Sequence, residues 1–269
     1  MLNEFYGTGD THGCEGVFHR LNNRSFSAGD DAVIFIAGDF GGVWDYDPRY
    51  FPEGYGATYF KVTNGDCGES EREEYTMDWL EEKPYTICFC PGNHENYDRL
   101  YRAYPQVDYY GGKARRIRKN VHMLENGELF NFDGFRVLSL GGARSHDIRD
   151  GIVEPDEFTT KSSLNNYLHI LRGEFKEFRV NHLSWWEEEM PDEAMLEKFK
   201  SHASESVDLL LTHDAATFMC GYPAEDSLRK TLNSVACDID YKNWVAGHYH
   251  TDRFLGKEMI LYNKIARLA

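Results

Sequence analysis

Residues 32–42 read AVIFIAGDFGG, a continuous apolar run of strand length that passes without a spacer into a glycine-flanked aspartate. Such a run predicts a buried strand, and the glycines after it predict a sharp exit. The same design recurs along the chain. Asn3–Thr8 leads into GDTHG, Tyr85–Cys90 (YTICFC) into PGNHE, Val207–Leu211 (VDLLL) into THD, and Asn243–Ala246 into GHYH. Helical patterns stand between these strands at Glu15–Asn22, Glu69–Glu82, Tyr97–Tyr104, Asp192–His202 and Asp226–Val235, the last capped by Asp226. The middle changes texture. Val121–Leu124, Glu128–Phe132 and Phe135–Leu140 are short strands separated by Asn126-Gly127 and Asp133-Gly134, dipeptides that close hairpins, and the last twenty residues read as a closing hairpin. Buried strands alternating with helices, then hairpins, predict an α/β fold of two packed sheets with helices outside. No repeat or linker interrupts residues 1–269, which read as one domain. Within it, 150–181 is polar, with an amphipathic helix around Ser163–Leu171. It reads as a lid or a solvated excursion, and the second reading is favoured.

Five short motifs share one context, the loop after an apolar strand: Asp10-Thr11-His12, Gly38-Asp39, Gly92-Asn93-His94-Glu95, Thr212-His213-Asp214 and Gly247-His248-Tyr249-His250. In α/β architectures the carboxyl ends of strands converge on the ligand crevice, so residues far apart in sequence meet there. Carboxylates, imidazoles and one amide oxygen, with no thiolate, suit borderline-to-hard divalent ions. Asp-x-His and His-x-His spacing puts both donors of a pair on one face of extended backbone. Asp39, alone in its turn, is the candidate to bridge two ions. Each motif alone is an ordinary polar loop; their order and number carry the signal.

Bulk properties narrow the chemistry. The chain has 269 residues and a formal net charge of −16, from 45 acidic and 29 basic side chains. Such a surface repels nucleic-acid phosphate and argues against nonspecific coating of DNA or RNA. Bound divalent cations reverse the potential locally, so phosphate chemistry stays open. The stretch MLNEFYGTGD lacks the basic and apolar segments expected of a secretory signal, no apolar run reaches the length of a membrane span, and the six cysteines form no disulfide pattern. Cys88 and Cys90 read as buried reduced thiols. A cytoplasmic location is expected.

The ordered set D-x-H, GD, GNH(E), H and GHxH resembles the calcineurin-like metallophosphoesterase superfamily, and it spans Asp10 to His250. GDFGGVWD, PGNHENYDRLY, GGARSHD and NHLSWWEEEMP are further similar to a subgroup of small bacterial cytosolic members whose substrate is unassigned. The resemblance implies a four-layer αββα sandwich and two divalent ions (Mn, Fe, Zn or Ni). Asp10, His12, Asp39 and His250 would hold one ion; Asp39, Asn93, His213 and His248 would hold the other. His94 matches the family's non-ligand histidine beside the substrate. The protein-phosphatase branch continues its second motif as GDxxDRG, whereas Gly42 and Val43 stand in the places of that Asp-Arg here. This disfavours a dedicated phosphoprotein phosphatase, and Asp45 and Asp98 become candidate partners for His94.

The expected reaction is hydrolysis of a phosphodiester or phosphomonoester, of a small ester or nucleotide, by a metal-bridging hydroxide. His94, protonated near neutral pH, would serve as general acid. Arg144 and His146, in a Gly-Gly loop after a strand, are candidate phosphate contacts. Trp185-Trp186 and Tyr249 read as packing residues. A nuclease with the same core would need a basic strip that this sequence lacks. A non-catalytic scaffold would have lost ligand positions, and all are filled. The oligomeric state is not written in the sequence.

Overall fold

The computed structural model describes residues 1–22, 26–53 and 71–269. Cys67 and the first two residues of the helix expected at Glu69–Glu82 lie outside the described residues. The first sheet contains β1 (Glu4–Gly9), β2 (Ala32–Ala37), β3 (Thr86–Cys90), β4 (Gln106–Tyr109), β5 (Gly112–Arg118), β6 (Val121–Leu124) and β15 (Ala266–Arg267), in the order β15-β1-β2-β3-β6-β5-β4. The second contains β7 (Leu129–Phe132), β8 (Phe135–Leu140), β11 (Ser206–Thr212), β12 (Asp240–Ala246), β13 (Arg253–Phe254) and β14 (Glu258–Ile260), in the order β13-β14-β12-β11-β8-β7. In both, the central strands run parallel: β1, β2, β3 and β6 in one, β8, β11, β12 and β14 in the other. Their carboxyl ends therefore gather on one edge of the sandwich.

The β2 sequence shows why the layers stack as they do. Val33, Phe35 and Ala37 join the core between the sheets, while Ala32, Ile34 and Ile36 face helices on the outside. A strand buried on both faces needs an unbroken apolar run, which AVIFIA supplies. Outside the first sheet pack α1 (Cys14–Leu21), α2 (Glu71–Glu81) and α3 (Tyr97–Arg102). Outside the second pack α5 (Glu193–Ser201), α6 (Thr217–Cys220) and α7 (Ser227–Val235), the last capped by the Asp226 side chain accepting from Arg229 N. The result is the αββα sandwich. Phe35 stacks among Phe5, Phe132 and Phe135 at the centre. Cys88 and Cys90 are buried free thiols in the same core, as expected. Among the described residues, no helix is long and apolar enough to cross a membrane.

Two expectations are corrected. Asp133-Gly134 closes the β7–β8 hairpin, but Asn126-Gly127 closes none: β6 belongs to the first sheet and β7 to the second. That turn carries the chain between layers. The closing hairpin is β13–β14 alone, after which β15 crosses back to pair antiparallel with β1. The β4–β5 hairpin escaped the sequence reading because β4 is a short edge strand whose inner face carries only Val107 and Tyr109. Segment 150–181 carries the helix expected around Ser163–Leu171. It contains β9 (Ile152–Val153), α4 (Lys161–Gly173) and β10 (Arg179–Val180), with its own cluster of Val153, Leu164, Leu168 and Val180.

Candidate metal centre

Each of the five motifs leaves the carboxyl end of a parallel strand. The first sheet delivers Asp10 and His12 from β1, Asp39 from β2 and Asn93 from β3. The second delivers His213 from β11, and His248 and His250 from β12. Hydrogen bonds join the loops across strands: His12 N to Asp39 O at 2.8 Å, Gly13 N to Phe40 O at 2.8 Å, and Gly247 N to His213 O at 3.0 Å. The turns are tight enough to place His12, Asp39, His248 and His250 at φ of 46°, 46°, 68° and 47°. Non-glycine residues in this left-handed region are strained, and such strain concentrates at functional sites. Gly92 and Gly247 are required by close approach, since a Cβ would fall 2.1 Å from Asp39 Oδ1 at the first and 2.4 Å from Asp10 Oδ1 at the second.

All seven expected ligands meet. Asp10, His12 and His250 converge, as do Asp10, Asp39 and His213. His12 Nε2 lies 2.9 Å from His250 Nε2 and 3.8 Å from Asp39 Oδ2. His213 Nε2 lies 3.2 Å from Asp39 Oδ1 and 3.1 Å from Asn93 Oδ1, and His248 Nδ1 is 3.1 Å from the same amide oxygen.

Three features fit this donor set to divalent cations. Asp10 Oδ2 is buried with no hydrogen-bond partner among the described residues, a costly arrangement unless a cation meets it. His213 donates Nδ1–H to Ala37 O at 2.8 Å, which leaves Nε2 facing two acceptor oxygens. A ring anchored through one nitrogen to a carbonyl and presenting the other is the usual posture of a metal-bound histidine. Asn93 is turned the same way: its Nδ2 donates to Ser145 Oγ, so Oδ1 points at the two histidines.

The electrostatics agree. Burial raises the Asp10 carboxyl to about 7, only partly offset by His213. Burial also acts to raise Asp39, but His213, His94 and His12 around it bring it below the ordinary carboxylate value. Burial holds His12, His248 and His250 below the usual imidazole value. They are therefore neutral near pH 7 and free to donate lone pairs.

His94 stands next to this cluster, its ring 5.1 Å from that of His12 and its backbone N–H on Asp39 Oδ1 at 2.8 Å. The expectation that His94 is protonated near neutral pH is corrected. Burial, with help from the Arg179 guanidinium against a counteracting Asp39, lowers it to about 4. Arg179 Nη2 lies 2.9 Å from His94 Nε2, and since a guanidinium can only donate, that imidazole nitrogen accepts. Asp98 is not the partner of His94. Its Oδ2 meets His182 Nδ1 and Trp186 Nε1, each at 2.7 Å, and its Oδ1 pairs with Arg102.

Arg144 and His146 are exposed, His146 with its ring 6.0 Å from that of His248. The residue between them, Ser145, is buried and orients Asn93, backed by Glu189 accepting from both its hydroxyl and its N–H. Glu95 accepts from Phe40 N and Gly41 N and so ties the second motif to the third. Arg20 is buried under the first motif and donates to Asp10 O at 2.6 Å. Tyr249, read as packing, also donates its hydroxyl to Asp214, which Arg229 holds from the other side. Ser145 and Glu95 lay inside quoted motifs. Arg20 and Arg179 had no sequence signal. A cavity of about 430 Å³ opens beside the centre, lined in part by His12, Gly41, Gly42, Trp44, Thr76 and His94.

Among curated proteins none matches this chain. Among solved structures, the crystal structure of phosphopantetheinyl hydrolase (PptH) from Mycobacterium tuberculosis is similar at 12% identity and a TM-score of 0.34, covering 97% of this chain and 90% of that one. So distant a likeness bears no weight. The sequence matches the calcineurin-like phosphoesterase family over residues 4–252, and the chain belongs to that family of metal-dependent phosphoester hydrolases.

Proposed function

We propose that the chain is a dinuclear phosphoesterase acting on a small phosphodiester or phosphomonoester, with Asp10, His12, Asp39 and His250 at one ion and Asp39, Asn93, His213 and His248 at the other. The observation that carries this reading is the buried oxygen Asp10 Oδ2, partnerless among the described residues, next to a His213 nitrogen facing two acceptors. Divalent ions there would polarise the ester and bring a water towards ionisation near neutral pH. Asn93 and His213 are held in donor orientation by Ser145 and Ala37, so little reorganisation is needed on loading. His94 is the group placed to move a proton at the leaving oxygen, through Nε2, once that nitrogen is released and protonated. The 430 Å³ cavity beside His94, with the Trp44 ring 6.0 Å from the imidazole, gives the leaving group room. A net charge of −16 favours a small ester over a nucleic-acid strand. Buried free thiols at Cys88, Cys90 and Cys220 suit a reducing cytoplasm.

The test is a matrix of bis-p-nitrophenyl phosphate, p-nitrophenyl phosphate, cyclic nucleotides and single-stranded DNA against Mn²⁺, Ni²⁺, Zn²⁺ and Mg²⁺. Metal-dependent hydrolysis of a small ester is expected, with none of DNA. Protein that demonstrably binds metal but hydrolyses nothing would contradict the proposal.

A further inference from the structure

Arg179 is a buried cation that borders the metal centre. It lies on β10, at the end of segment 150–181, and its side chain is only 7% exposed. Its Nε donates to Asp147 Oδ1 at 2.7 Å, its Nη1 to Ser184 O at 3.2 Å, and its Nη2 to His94 Nε2 at 2.9 Å. The one carboxylate among these partners, Asp147, is 46% exposed and so screened by water. On the side of the metal centre the guanidinium meets the accepting Nε2 of His94, and the buried Glu189 carboxylate feels its charge. A buried charge normally finds a full complement of opposite charge. Metal loading would add positive charge beside it, because Asp10 and Asp39 together cannot neutralise two divalent ions. An anion between the ions and Arg179 balances both.

The placement of Arg179 is built. Asp98, on α3 directly after the third motif, accepts from His182 Nδ1 and Trp186 Nε1. Val180 N donates to Ser184 Oγ across the intervening turn. The residues that follow β10 are thereby fastened to α3, the helix after His94, with Arg179 at the junction.

Resting on the phosphoesterase reading, we propose that Arg179 binds the substrate phosphate and selects phosphomonoesters. Two ions, when bound, would take up two unesterified oxygens. A diester has only two such oxygens, whereas a monoester has a third left for the planar donor fork of a guanidinium. Binding the phosphate draws Nη2 away from His94 and frees that ring nitrogen.

The test uses the metal-loaded full chain as wild type, Arg179→Gln, Arg179→Lys and, as a control, Arg149→Ala. The control breaks the exposed Arg149–Glu177 pair in the same segment without touching Arg179. Inorganic phosphate affinity is measured by calorimetry, metal content by mass spectrometry, and kcat and KM with p-nitrophenyl phosphate and bis-p-nitrophenyl phosphate. Losing a charge-assisted contact predicts about 10- to 100-fold weaker phosphate binding in Arg179→Gln. Its metal content should stay normal, kcat/KM should fall in parallel for the monoester, and the diester should change far less. Arg179→Lys should fall between, and Arg149→Ala should match wild type. Wild-type phosphate affinity in Arg179→Gln overturns the proposal, and equal losses on both esters overturn the selectivity. If Arg179→Gln does not fold, Arg179→Lys decides on the same readouts. Wild type that binds metal and phosphate yet cleaves neither ester overturns the phosphoesterase reading instead, and phosphate affinity still judges Arg179.

Discussion

The strand-end loops and segment 150–181 both bring side chains to the centre, but they place them by different means. A strand-end ligand sits where its strand stops. Asp39 follows β2 by one glycine, and the register of β2 with β1 and β3 fixes it beside Asp10 and Asn93. Arg179 sits 85 residues after His94, on β10 outside the two large sheets, and its position depends on Asp147, Ser184 and the Asp98 anchor. The first mechanism builds a rigid receptacle for ions. The second adds a separately anchored piece facing whatever the ions hold. Damage to the loops should cost metal, and damage to the segment should cost substrate.

The largest effect is expected at Asp39, which faces both His12 and His213. Asp39→Ala should lower bound metal and reduce hydrolysis by about three orders of magnitude or more; full metal content in that variant would break the division drawn here. His94→Ala comes next, with turnover down about 10²- to 10⁴-fold and metal content near normal. An unchanged rate would remove His94 from the reaction. Asp98→Asn loosens the segment and leaves the strand ends alone. It should raise KM for p-nitrophenyl phosphate by about tenfold with metal retained, whereas metal loss would show that the two regions are not separate.

The smallest effect is one of pH. Burial lifts the Asp10 carboxyl of the metal-free protein to about 7, above its unfolded value. That carboxyl therefore supports the fold fully below about pH 4, and its contribution is lost as pH rises through 7, where a buried charge must form. A divalent ion binds the carboxylate and removes the penalty. The rise in Tm on adding Mn²⁺ should be larger at pH 8 than at pH 6, by a few degrees. A smaller rise at pH 8 would contradict this assignment of the proton.

The same contrast explains what the sequence could tell. DTH, GD, GNHE, THD and GHYH were legible because each is tied to an apolar strand, and parallel strands bring their ends together. Asn126-Gly127 was misread because a turn dipeptide reports a local reversal and is silent on which sheet the next strand joins. Arg144 and His146 drew attention as charge and imidazole near glycines, while Ser145 between them does the orienting, and burial is what separates the three. Arg179 lies in GEFKEFRV, where nothing in the spacing distinguishes it from its charged neighbours. Its part is set by tertiary anchoring.

The most direct test of the central claim is an anomalous diffraction map from a crystal loaded with Mn²⁺, recorded at the manganese edge. The account predicts two peaks about 3.5–4 Å apart, with Asp39 between them, one flanked by Asp10, His12 and His250 and the other by Asn93, His213 and His248. No peak at these residues, with manganese bound elsewhere on the chain, would contradict it.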